Sequence, residues 1–214
     1  MAENSVGGGG GSIFTRLFKT PEIKGSVADI VTLPKVVLIN KFNEESAKQF
    51  YTDMAAAENT DQEIIPIVID SFGGQIYTLL AMIDCIKASK KKIATIALSK
   101  SMSCGVVMLT CGDEGFRFAG PQSTILIHDV SSWSFGKVEE VKADAAETER
   151  CNKIIYQIMD RNCGHEDGYF QKLVHDRSHA DWYLTADEAK EHNIVNHVRI
   201  PRFEVKVSSE TKLV

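Results

Sequence analysis

Short apolar runs alternate with stretches of helical periodicity along most of this chain. Val36–Ile39, Ile64–Ile69, Ile93–Leu98 and Thr124–Ile127 are rich in β-branched residues and continuously apolar, the pattern of strands buried within an α/β sheet. Between them, Ala47, Phe50, Tyr51, Met54 and Ala55 recur on one face of a helix, and Ile76, Leu79, Leu80, Ile83 and Ile86 on one face of another. Strands that alternate with amphipathic helices predict a layered α/β domain. A longer segment, Lys137 to Asn162, carries Val138, Val141, Ala145, Thr148, Ile155, Ile158 and Met159 along one side against many charges. At a rise of ~1.5 Å per residue it makes a helix of about seven turns, long enough to project beyond a small domain. Thr185 to Glu188 reads as a capping box, Asn193 as a helix stop and Ile194 to Ile200 as a last strand. Phe116–Ala119 reads as a turn region.

The ends of the chain break this rhythm. Residues 1–34 are expected to form an N-terminal leader and arm, residues 35–200 a single domain, and residues 201–214 a tail. Gly7 to Gly11 make a low-complexity linker, not the apolar core of a secretory signal. Ile13, Phe14, Leu17 and Phe18, interspersed with Arg16 and Lys19, form a short amphipathic patch, a helix packed either on a neighbouring subunit or on its own core. Residues 21–34, flanked by Pro21 and Pro34, read as a connecting arm.

Composition narrows the class. A length of 214 residues suffices for one sizeable core, and a net charge of −5 lacks the basic footprint of a nucleic-acid binder. No run is long enough to span a bilayer, so no membrane partner is expected. Cys85, Cys104, Cys111, Cys151 and Cys163 have no metal-ligand spacing; most sit in apolar helical patterns, as reduced thiols of a cytoplasmic protein do. No cofactor or metal is expected.

Three strand ends carry candidate chemistry. After Ile93–Leu98 come Ser99, Ser101 and Ser103, then Cys104, Gly105 and the apolar run Val106–Leu109. A helix opening at Ser103 points free backbone N–H groups and a positive dipole end at whatever lies there, which favours an oxyanion. The same pattern also suits an N-cap serine followed by a packing glycine. After Ile64–Ile69, the pair Gly73–Gly74 at a strand-to-helix turn lets the backbone approach a ligand closely. The run Thr124–Ile127 delivers His128 at its C-terminal end, where open α/β sheets bind ligands. A serine hydroxyl needs a base such as imidazole, with its pKa of about 6.5, and the base needs a carboxylate to fix its tautomer.

Gly73–Gly74, Ser103–Gly105, Phe116–Ala119, Ile127–His128 and Asp181–Ala189 occur in the order and spacing of the Clp protease proteolytic subunit, and the chain resembles a ClpP-type serine peptidase over roughly residues 35–198. The resemblance implies a ClpP/crotonase-like ββα superhelix, a single domain with a projecting handle helix. It also implies Ser103 as nucleophile, His128 as general base and Asp181 as orienting acid, with backbone amides of Gly74 and Cys104 as oxyanion donors. The family's separations between glycine pair, serine and histidine select Ser103 over Ser99 and Ser101. The residues Trp182–Ala186 that follow select Asp181 over its rivals Asp176 and His179. The implied activity is endoproteolysis of peptides and unfolded proteins by acyl-enzyme chemistry inside a homo-oligomeric chamber of heptameric rings. An AAA+ unfoldase would supply ATP hydrolysis, since the chain has no G-x-x-x-x-G-K-[ST] loop.

The sequence departs from the family pattern at Phe72, Cys104, Asp129 and Val130, and in extra residues at the loop Ser131–Gly136. Asp129 adds a carboxylate beside His128, expected to raise its pKa or to compete for its ring. Three alternatives stay open: a capsid-maturation protease, a catalytically silent ring subunit, and a crotonase-type acyl-CoA enzyme on the same superfold.

Overall fold

The computed structural model describes residues 18–19 and 34–204. The expected leader, the arm at residues 21–33, most of the amphipathic patch and residues 205–214 of the tail lie outside the described residues. Strand β1 (Phe18–Lys19) falls where a helical patch is expected; it pairs in parallel with β9 (Phe203–Glu204).

The remaining strands form one sheet. In chain order the elements are β2 (Val37–Ile39), α1 (Glu44–Glu58), β3 (Ile64–Ser71), α2 (Ile76–Lys87), β4 (Lys92–Met102) and α3 (Cys104–Thr110). Then follow β5 (Arg117–Ala119), β6 (Thr124–Ile127), α4 (Val138–Cys163), α5 (Tyr169–His175), β7 (Trp182–Thr185), α6 (Ala186–Glu191) and β8 (His197–Val198). Strands β2, β3, β4, β5 and β8 lie side by side in parallel. Both faces are covered, which accounts for the continuous apolar runs. Ile65, Ile67 and Ile69 of β3 face the main core with α1, α2 and α3, while Val68 joins Ala94, Ile96 and Phe118 in a smaller cluster on the other side.

Strand β4 is the element that organises the site. Its first half pairs with β5 through Thr95, Ile96 and Ala97, and its second half with β6 through Lys100, Ser101 and Met102. Between the halves the register against β3 slips, and Ser99 takes a φ of 63°. Such a bulge re-aims a strand. Here β4 keeps its pairing with β3 at Ser101 while β6 takes the place of β5 on its other side, and β6 in turn pairs in antiparallel with β7.

Several local expectations are corrected. Phe116–Ala119 is not a turn: Arg117–Ala119 is a fully buried strand. Arg117 itself is fully buried, donating from Nη2 to Glu114 (2.7 Å) and from Nε to Asn196 Oδ1 (3.2 Å). The last strand shortens to His197–Val198, because only those residues reach β5. In α1 the buried face is Ala47, Phe50, Met54 and Ala57, with Tyr51 and Ala55 outside it. Asn193 has a left-handed φ of 55°, ending α6 as expected. In α4 burial begins only at Cys151; Val138 and Val141 lie exposed on its first turns, so the N-terminal half projects from the domain. No helix among the described residues is long and apolar enough to cross a membrane.

Candidate active site

A cleft of about 570 Å³ opens where β4, β6 and the β3–α2 turn converge; Gly74, Ser103, Cys104, His128, Val130 and Ile155 are among its walls. Of the three serines after Leu98, only Ser103 faces it. Ser99 sits exposed on the bulge, and Ser101 is fully buried.

Ser103 is held in an unusual conformation, with φ 55° and ψ −122°. A non-glycine residue in this region costs of order 1–3 kcal/mol and persists only where its surroundings over-determine it. They do so here. Its N–H donates to the Leu126 carbonyl of β6 (3.0 Å), and its own carbonyl accepts from the Val106 amide of α3 (3.1 Å). Its hydroxyl makes no capping bond to α3. That removes the simplest structural use for a serine at a helix start.

The glycine pair answers to the same geometry. A Cβ on Gly73 would lie 2.7 Å from Ser103 Cβ and 3.1 Å from its Oγ, and one on Gly74 would lie 2.3 Å from the Phe42 carbonyl oxygen. Both positions also have positive φ, 107° and 150°. A parallel bridge between Phe42 and Gly74 uses the Gly73 carbonyl and the Gln75 amide, which leaves the Gly74 N–H unused among the described residues. Cys104 is the first residue of α3, so its N–H has no intrahelical acceptor. Two unspent amide donors thus flank the Ser103 side chain. The Cys104 thiol donates to the Gly74 carbonyl (3.3 Å) and ties the two sides together. Burial pushes this thiol up to about 11, so it stays neutral near pH 7.

Gly73→Ala tests this packing. The new methyl would push the Ser103 side chain out of line while leaving the serine in place. With Ser103 as the nucleophile that the resemblance implies, peptide turnover should fall about 100-fold, the usual penalty for misplacing a reacting group by an ångström. Comparing kcat with far-UV circular dichroism on the same preparation checks it; full turnover with intact secondary structure would contradict it.

His128 follows β6 directly and is half-buried at the cleft. The β6–β7 ladder pairs Leu126 with Tyr183 and ends at Ile127 with Trp182, so His128 and Asp181 are the residues just beyond its last pair. Asp181 is exposed and lies outside the cleft wall. Among the described residues, no hydrogen bond joins Ser103 to His128 or His128 to Asp181. Catalytic hydrogen bonds of free enzymes are commonly long and tighten when substrate binds.

The rival residues have other partners. Asp176 is ion-paired with Lys172. His179 Nδ1 lies 2.6 Å from Asp129 Oδ2. Asp129 therefore turns away from the adjacent histidine and onto His179, Asn152 and Tyr156. Burial pushes its carboxyl up, but the hydrogen bonds from these three outweigh that and hold it below the usual carboxylate value. The polar pair Asn152 and Tyr156, spaced i,i+4 beside the apolar stripe of α4, is the sequence signal that marks this cluster, and it passes unnoticed when only apolar positions are counted.

An α/β sheet with a cleft at the carboxyl ends of its strands belongs to a broad class that binds ligands at such points. The family is narrower: the Clp protease family matches residues 22–202, and the chain belongs to it. The ATP-dependent Clp protease proteolytic subunit of Bacteroides thetaiotaomicron is 32% identical over 138 residues, 64% of this chain and 61% of that protein. The aligned region thus spans less than two thirds of that relative's length.

Proposed function

We propose that this protein is a serine endopeptidase that cleaves peptides and unfolded proteins through an acyl-enzyme. The observation that carries this reading is Ser103: strained, uncapped, and sharing a cleft with His128. Its hydroxyl attacks the scissile carbonyl while His128 takes the proton, and the same imidazole then protonates the leaving amine. Asp181, like His128 just beyond the last pair of the β6–β7 ladder, orients the ring and stabilises the imidazolium. The Gly74 and Cys104 amides hold the tetrahedral oxyanion; each such donor contributes about 2.7–4 kcal/mol to the transition state. Water repeats the sequence on the acyl-enzyme and frees Ser103. Mapping the residue labelled by a fluorophosphonate probe tests the assignment: a label on Ser103 supports it, and a label elsewhere, or none, contradicts it.

The site is assigned to an enclosed chamber formed by copies of this chain, stacked as heptameric rings and fed by an ATP-driven unfoldase. The name of the Bacteroides relative, an ATP-dependent proteolytic subunit, supports the partner. The projecting half of α4 and the exposed, mutually stacked Trp133 and Phe135 support the assembly, because large aromatic rings left in water favour burial against another subunit. Light scattering combined with a peptide assay checks the chamber. Short peptides are expected to be cleaved by a multi-subunit particle without nucleotide, and folded proteins to resist cleavage until an unfoldase is added. A fully active monomer, or rapid unaided digestion of a folded protein, would contradict it.

A further inference from the structure

The carboxylate of Asp129 ties two distant parts of the chain to its own segment. Its Oδ1 accepts from Asn152 Nδ2 and from the Tyr156 hydroxyl of α4, both at 2.9 Å. Its Oδ2 accepts from His179 Nδ1 at 2.6 Å, in the loop that leads into β7. Asn152 completes the junction from its other end: its Oδ1 accepts from the Val130 amide at 2.9 Å. Asn152 thus grips both the side chain of Asp129 and the backbone just beyond it.

The placement of this cluster matters more than its number of bonds. Asp129 immediately follows His128, and His179 lies two residues before Asp181. The loop that carries His179 is itself strained, with Ser178 and His179 both left-handed at φ 57° and 59°. Backbone of this kind needs outside restraint to stay in place. The His179 amide is anchored to the Val174 carbonyl (3.1 Å), and the Asp129 contact anchors its ring. Tyr156 is buried to 1% exposure, and burial followed by its contact with Asp129 pushes its phenol up, so it remains a proton donor to the carboxylate. Hydrogen bonds to an ionised acceptor are roughly twice as strong as neutral ones, which suits the carboxylate to a hub.

We propose that Asp129 is a positioning residue: held by Asn152, Tyr156 and His179, it locks the segments carrying His128 and Asp181 onto helix α4. The proposal rests on the reading of His128 and Asp181 as base and orienting acid. It gives Asp129 a role opposite to that of a competitor for the histidine ring. It also makes the alignment of His128 with Asp181 depend on α4.

Two truncations on the full-length, assembled protein test this. Asp129→Ala removes the hub, and His179→Ala opens the clasp from its exposed side, where the ring is 58% accessible. Each should lower kcat on a short fluorogenic peptide by about 10-fold to 100-fold, as loss of orienting partners does, with KM changed less than about two-fold. The fluorophosphonate labelling rate should fall in parallel. The double variant should be no slower than Asp129→Ala alone, because both truncations break one connection. Asp129→Asn, which keeps an acceptor oxygen for α4 and offers an amide to the His179 ring, should recover most of the lost kcat.

A His179→Ala variant with kcat within about two-fold of the parent overturns the proposal, as does a double variant whose losses multiply. If Asp129→Ala does not fold, His179→Ala alone decides. Ser103→Ala, measured alongside, separates this claim from the peptidase reading. Labelling lost in Ser103→Ala but unchanged kinetics in His179→Ala would remove the clasp alone. Labelling retained in Ser103→Ala would remove both.

Discussion

Replacing Ser103 with alanine is expected to lower peptide hydrolysis by a factor on the order of 10⁶ in kcat, the scale seen when a triad nucleophile is deleted. The variant should fold and assemble as the parent does. The removed hydroxyl makes no cap to α3, and the backbone bonds of Ser103 to Leu126 and Val106 do not involve the side chain. The strained φ of 55° persists, since the backbone around it is unchanged. A slow residual rate above that of water would remain, because the Gly74 and Cys104 amides and the cleft still bind the transition state. Active-site titration with a fluorophosphonate, followed by peptide mapping, is the measurement. Stoichiometric labelling of Ser99 in the variant would move the nucleophile to the exposed bulge and undo the assignment of Ser103. An unchanged hydrolysis rate would mean that the cleft is not the site of reaction.

The second large effect is expected at Asp181. Changing it to asparagine keeps the size of the side chain but removes the charge that stabilises the imidazolium, and it lets the amide favour the wrong tautomer of His128. A fall on the order of 10⁴ in kcat follows from comparable triads. Fold stability should change little, because Asp181 is exposed and, among the described residues, makes no hydrogen bond or ion pair. With so little structural role to lose, the substitution is informative: a large kinetic loss without a melting shift points to chemistry. Steady-state kinetics of Asp181→Asn beside Asp176→Asn provide the comparison. Asp176 is an exposed partner of Lys172, and its substitution should leave kcat unchanged. A crippled Asp176→Asn with a nearly normal Asp181→Asn would reverse the choice between the two carboxylates.

Much of the architecture was legible in local pattern. Ile64–Ile69 and Ile93–Leu98 are continuous apolar runs because both faces of the sheet are covered; a face open to water would have left every second position polar. The capping box at Thr185–Glu188 and the left-handed Asn193 mark α6 by side-chain chemistry that acts within a few residues. Where local pattern misled, a distant partner was responsible. Phe116–Ala119 reads as a turn region, yet Asn196 and the end of α4 accept hydrogen bonds from Arg117 and bury it in β5. The apolar stripe of α4 runs its full length in the sequence, but the domain covers it only from Cys151 onward.

By itself, then, the sequence determined the α/β layering, the helix start beside Ser103, and the candidates for chemistry, since all of these rest on neighbours a few positions away. Only the tertiary structure decided which of them meet. That Ser103 rather than Ser101 faces the cleft depends on Ser101 pairing with both β3 and β6, which buries it, and on β4 ending at Met102, so that Ser103 opens α3. That His128 and Asp181 both lie just beyond the last pair of the β6–β7 ladder depends on its antiparallel register, formed by residues far apart in the chain. That Asp129 turns from His128 to His179 depends on two side chains of α4. Strand register and helix docking are chosen by the packing of the whole chain, and no window of the sequence contains that choice.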